Sequence, residues 1–123
     1  MDADSQIQGF AERLDGALSE ERQHRYRNAV ELYYKATVHI IDYLLLMGPK
    51  ELVVDNLKQR LEEIRKLDKE IANIFNEDHL FYRGTYKTKK TIQDCGKLKN
   101  DVKTIAKLSG IKSFVQKSIE KIS

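Results

Sequence analysis

Only one cysteine, one proline and no tryptophan occur in this chain of 123 residues. A single thiol, Cys95, excludes an internal disulfide framework and fits a reducing, cytoplasmic setting. It lies within the apolar spacing of a helix and reads as a small core residue rather than a nucleophile. Long apolar runs are also missing. The longest, Ile40 to Met47, is interrupted by Asp42 and falls far short of the ~20 residues that cross a bilayer. The first residues, Met-Asp-Ala-Asp-Ser, are polar and acidic, unlike a signal peptide. His24, His39 and His79 are isolated, and Glu62-Glu63 lacks a Glu-x-x-His partner, so neither a metal site nor a cofactor is expected. Gly84 and Gly110 are lone glycines, and no serine stands in a nucleophile elbow. Those absences exclude the common nucleotide-loop and serine-hydrolase chemistries.

What is present is helical periodicity. Charged residues make up 33% and apolar residues 41%, the balance of a soluble, helix-rich single domain over 1–123. Ile7, Phe10, Ala11, Leu14, Ala17 and Leu18 recur at three- and four-residue steps, which predicts a first helix. Tyr26, Ala29, Val30, Tyr33, Thr37, Ile40, Leu44 and Met47 form a second stripe, widened by Leu32, Val38, Ile41 and Leu45. A helix apolar around most of its circumference must be buried on most sides, so this one is predicted to be central and shared with a second subunit in a homodimer. Gly48-Pro49 ends it, with Pro49 suited to open the next helix. A third helix is predicted from Pro49 to Phe75 on Leu57, Leu61, Ile64, Leu67, Ile71 and Ile74, with Asn76-Glu77-Asp78-His79 as a break. A fourth resumes near Thr85 and carries Ile92, Cys95, Leu98, Val102, Ile105 and Leu108. Ser109-Gly110 stops it, and a short fifth spans Ile111 to Ile122. The expected fold is all-α, an antiparallel up-and-down four-helix bundle with a short C-terminal helix.

Charge is unevenly spread along this pattern. Residues 83–123 carry eleven Lys/Arg against Asp94, Asp101 and Glu120, whereas residues 1–82 carry eleven basic against sixteen acidic residues. Such polarity suggests a basic face for a polyanion, or an acidic half that answers a basic half in a partner. Lys99, Lys103 and Lys107 recur every four residues and form one line up a helix, which suits sequence-blind phosphate contact or a solubilising surface. Tyr26, Tyr33, Tyr34 and Tyr43 read as core rings with hydroxyls reaching polar partners, in preference to a base-stacking surface.

A tyrosine-rich helix from Arg27 to Met47, then Gly-Pro, a third helix, and Tyr82-Arg83-Gly-Thr-Tyr86 opening the last core helix resemble the HEPN superfamily over roughly residues 5–110. These are small prokaryotic helical-bundle proteins often encoded beside minimal nucleotidyltransferases. The resemblance implies a four- or five-helix bundle, usually a homodimer, and in the active branch a metal-independent ribonuclease marked by Arg, four to six residues, then His. With Arg83 as that arginine, the histidine position falls on Thr88, Lys89 or Lys90. None supplies the neutral imidazole that takes a proton from a ribose hydroxyl near pH 7. The expected function is therefore a non-catalytic bundle that binds nucleic acid, RNA included, or a nucleotide. Arg83, Tyr86, Lys87, Lys99, Lys103 and Lys107 are its phosphate-binding residues, and no residue is assigned as catalytic. A second reading is a protein-interaction module, such as the toxin–antitoxin partner of a nucleotidyltransferase. A third is a degenerate ribonuclease using His79 or His24.

Overall fold

The computed structural model describes residues 2–84, 89–110 and 120–121. Among them the chain is all-α, without a strand. The helices are α1 (Ala3–Arg22), α2 (Tyr26–Leu46), α3 (Leu57–Leu67), α4 (Lys69–Arg83) and α5 (Ile92–Ser109). Asp2 caps α1 by accepting from the Ser5 amide at 2.8 Å, and Gln6, Phe10, Leu14 and Ala17 are its buried stripe. α2 touches each of the other four helices. Its buried set, including Val30, Tyr33, Tyr34, Ile40, Ile41 and Leu45, spreads around the helix as its sequence predicts. Four partners within one chain account for that breadth, so it no longer calls for a second subunit.

The third predicted segment divides differently. Pro49 does not open a helix. Residues 48–56 leave α2 through a turn and run irregularly, with Leu52 and Val54 packed on the core and Val53 exposed. Leu52 N–H donates back to the Leu45 carbonyl at 3.0 Å, which holds this segment on the end of α2. Arg60 of α3 then grips Asp42 of α2 with two bonds, Nε to Oδ1 at 2.5 Å and Nη2 to Oδ2 at 3.0 Å. Asp42, which breaks the apolar run in sequence, is thus matched by a tertiary partner.

α3 stops at Asp68. This residue is extended (φ −158°, ψ 109°) and serves both helices. Its N–H donates to the Ile64 carbonyl at 2.8 Å, while its carboxylate accepts from the Ile71 amide at 3.0 Å. Asn76 to His79 are not a break: they lie inside α4, with Asp78 buried. α5 begins at Ile92, not near Thr85, because Thr91 and Asp94 form a reciprocal capping box. It ends as expected at Gly110, which holds the left-handed φ of 73° that glycine adopts cheaply. The predicted fifth helix, Ile111 to Ile122, lies outside the described residues except at Glu120 and Lys121.

Candidate functional site at the α4–α5 junction

The last two turns of α4 and the first turns of α5 bring together a buried acid, Asp78, and a cluster of charged side chains. Asp78 has no exposed surface, and Phe81 follows it by three residues on the same face. Lys97 of α5 reaches across to Glu77 at 2.8 Å and Asp78 at 3.2 Å, and also holds Asp101 at 2.9 Å, one turn along its own helix. One ammonium therefore serves three carboxylates. Burial pushes the Asp78 carboxyl well above the usual range, and hydrogen bonding and charge from Asp101 push it the same way. No hydrogen-bond donor reaches its Oδ2. Lys97 is shifted upward by its hydrogen-bonded carboxylates, against a desolvation penalty that favours the neutral amine, and so remains charged.

Beside this cluster Lys90 is only 8% exposed. Its Nζ stands 3.9 Å from the centre of the Phe81 ring, with Lys97 Nζ at 5.7 Å, a cation–π arrangement that leaves an ammonium without a carboxylate. The same Nζ lies 3.9 Å from where a Cβ on Gly84 would stand, next to Arg83. Arg83 is exposed at the end of α4, and Lys89 is exposed ahead of α5. Among the described residues Arg83, Lys89 and Lys90 have no carboxylate partner. The ends of α4 and α5 thus carry three cations without carboxylate partners among the described residues and an aromatic ring, bordered by a paired acidic cluster. α5's amino end is already engaged by its own Asp94, so side chains, not free backbone amides, would meet an anion here.

On the inner side of α4, Tyr34 of α2 stacks between Phe75 (5.9 Å between centres, 5° between planes) and Tyr82 (4.4 Å, 11°). Its hydroxyl lies 3.0 Å from His79 Nδ1. Burial, with a smaller contribution from the Arg83 charge, lowers the His79 pKa, so the ring is neutral at pH 7. The tyrosines behave as core rings with polar tips: burial raises the Tyr34 hydroxyl to about 12, and Tyr33 donates to Glu21 at 2.6 Å. Cys95 is likewise a core residue, fully buried, with its thiol pushed up by burial to about 12.

The residues expected to bind phosphate fall on different sides. Arg83 is at the junction. Tyr86 and Lys87 lie outside the described residues, as does Thr88. Lys99 is half-buried and tied to Glu21 of α1 at 3.0 Å. Lys97 reaches α4 while Lys99 reaches α1, so the two flanks of α5 face different helices. Lys103 and Lys107 follow Lys99 along the α1 flank, Lys103 half-exposed and Lys107 exposed, without carboxylate partners among the described residues. The lysine row and Arg83 therefore do not form one patch. Lys90 and the Asp78–Lys97–Asp101 cluster were not singled out in the sequence. For the cluster the only signal was three- and four-residue spacing on facing helices, which charge alternation also produces; Lys90, ahead of α5, had none. No family model, curated protein or solved structure matches this chain.

Proposed function

We propose that the protein is a non-catalytic helical module that binds the phosphates of nucleic acid or a nucleotide at the α4–α5 junction. The observation that carries this reading is that Arg83, Lys89 and Lys90, without carboxylate partners among the described residues, flank the α4–α5 junction, with the Phe81 ring beneath Lys90. Lys97 and Lys99, by contrast, are consumed by acids. Arginine supplies a planar fork for phosphate, and lysines supply point charges. The resemblance of Arg27–Met47 and Tyr82–Tyr86 to HEPN proteins supports the same reading. In this reading the helices form an antiparallel up-and-down bundle that pairs as a homodimer. Lys103 and Lys107, on the other flank of α5, would meet phosphates only as a separate patch.

The test is titration of labelled single-stranded RNA at 50 and 200 mM salt. Replacing Arg83 by Ala with Lys89 and Lys90 by Gln is expected to weaken binding and flatten its salt dependence by about two to three counterions, roughly one per phosphate contact. Lys99→Gln is expected to change binding little, because its charge is already spent on Glu21. If the triple variant binds like the parent, the junction is not the site.

A second reading is favoured by a separate observation: Met47, Val53 and Leu67 are 61%, 66% and 45% exposed. Such side chains suit a protein-docking module, with a second copy or a nucleotidyltransferase as its partner. Light scattering of the protein alone and with that partner distinguishes it.

A further inference from the structure

At the end of the bundle where α2 gives way to α3, Leu45, Pro49, Leu52 and Leu67 enclose a hollow of about 160 Å³ with Gly48 in its wall. The hollow is close in size to an apolar cavity of about 150 Å³ that accommodates benzene, and below the roughly 300 Å³ at which drug-sized pockets begin. One ring or one short branched alkyl group fills it. Gly48 keeps it open: a Cβ there would come within 3.3 Å of Leu67 Cδ1.

Its remaining lining is charged. Glu63 accepts from Lys66 Nζ at 2.8 Å and lies 3.4 Å from Lys50 Nζ. Two ammonium groups thus share one carboxylate within the lining, with Glu62 outside it also acting on Lys66. The Lys50 and Lys66 side chains are 59% and 61% exposed, free to turn toward a ligand, whereas Glu63 is held in at 15%.

We propose that this hollow binds a small anionic amphiphile, its benzene-sized apolar end seated among Leu45, Pro49, Leu52 and Leu67 and its single carboxylate on Lys50 and Lys66. An uncharged ligand would gain the apolar contact alone. A cationic one would meet the two ammonium groups at the rim. The site is at the α2–α3 end and rests on none of the residues at the α4–α5 junction.

Phenylacetate, phenylacetamide and phenethylamine share the ring and differ in the charge of the head, so they separate the two contributions. Titrated into the full chain and followed by backbone amide chemical shifts, phenylacetate should give saturable shifts at Gly48, Leu52 and Leu67, with affinity falling from acid to amide to amine. Changing Lys50 and Lys66 together to Gln should weaken phenylacetate by about two- to fivefold, the scale of a half-exposed ion pair, and abolish the order. Glu63→Gln should tighten it, by removing the competing carboxylate. Leu67→Phe, which fills the hollow from its rim, should abolish binding of all three. Absence of saturable shifts at these amides, or an amine that binds as well as the acid, overturns the proposal.

Discussion

At Asp78 a carboxyl group has no exposed surface and keeps one oxygen that no donor reaches. Around it stand Glu77 on α4 and Lys97 and Asp101 on α5, with Lys90 over the neighbouring Phe81 ring. Because its native pKa is raised, the folded chain holds this proton more tightly than the unfolded chain does. That contribution to stability is complete below the ordinary carboxylate value near pH 4 and is lost progressively as pH rises toward the native value. His39 and His79 have the opposite sign. Their lowered pKa values cost stability as pH falls below about 6.5. A comparison against Asp78→Asn isolates the carboxyl. The amide still accepts from Lys97, and its NH₂ replaces the oxygen that no donor reaches. The variant is expected to exceed the parent at pH 8 by on the order of 1 kcal/mol, with a smaller gap at pH 5, in urea unfolding. A gap that stays constant or reverses would mean that Asp78 is ionised and earns its place through Lys97. Nothing in the linear sequence announced this residue: Asn-Glu-Asp-His reads as a helix stop, and only contact with α5 makes its third member a core position.

Among the elements, α1 and α2 were legible because one phase of apolar spacing carries each from end to end. The third segment was not. Leu57, Leu61, Ile64, Leu67, Ile71 and Ile74 keep their three- and four-residue rhythm straight through Asp68, yet the chain turns there. Periodicity records which face is buried. It does not record that one carboxylate can cap a new helix while its own amide closes the old one. Packing between helices also sorts the glycines. A Cβ on Gly9 would stand 2.5 Å from His39 Cε1, and that ring is held by Gln6 at 2.8 Å. Gly9→Ala is expected to cost about 1–3 kcal/mol, the range for overpacking a close contact. Gly96, inside α5, faces nothing within 4 Å. Gly96→Ala should instead gain about 0.5–1 kcal/mol from helix propensity alone. Thermal unfolding of the two variants is expected to move in opposite directions, and movement in one direction would contradict the α1–α2 contact.

Over the whole molecule, the acidic first two-thirds and the basic last third prove to be partly each other's counterpart. Lys99 pairs with Glu21, Lys121 with Asp15, and Lys97 with Glu77 and Asp78. Net charge along a chain cannot tell a surface offered to a partner from one that folding consumes, and Lys99, engaged by Glu21, is the expected site residue for which that distinction matters. Glu21 shows the cost of losing such a pairing. Its carboxylate accepts from the buried Tyr33 hydroxyl at 2.6 Å and from Lys99 at 3.0 Å, tying α1 to α2 and α5. Glu21→Ala should cost about 2–3 kcal/mol, since it strands a buried hydroxyl and a half-buried ammonium. The double variant with Tyr33→Phe should lose less than the two single losses added, in urea unfolding. Strict additivity would dissolve the link. Cys95 carries a different consequence. It is the chain's lone sulfhydryl, sealed where α5 meets α2, with its proton held to about pH 12. A thiol reagent can reach it only when the molecule breathes. The protein thus contains its own clock: the rate at which unmodified protein takes up such a label counts how often α5 lifts away.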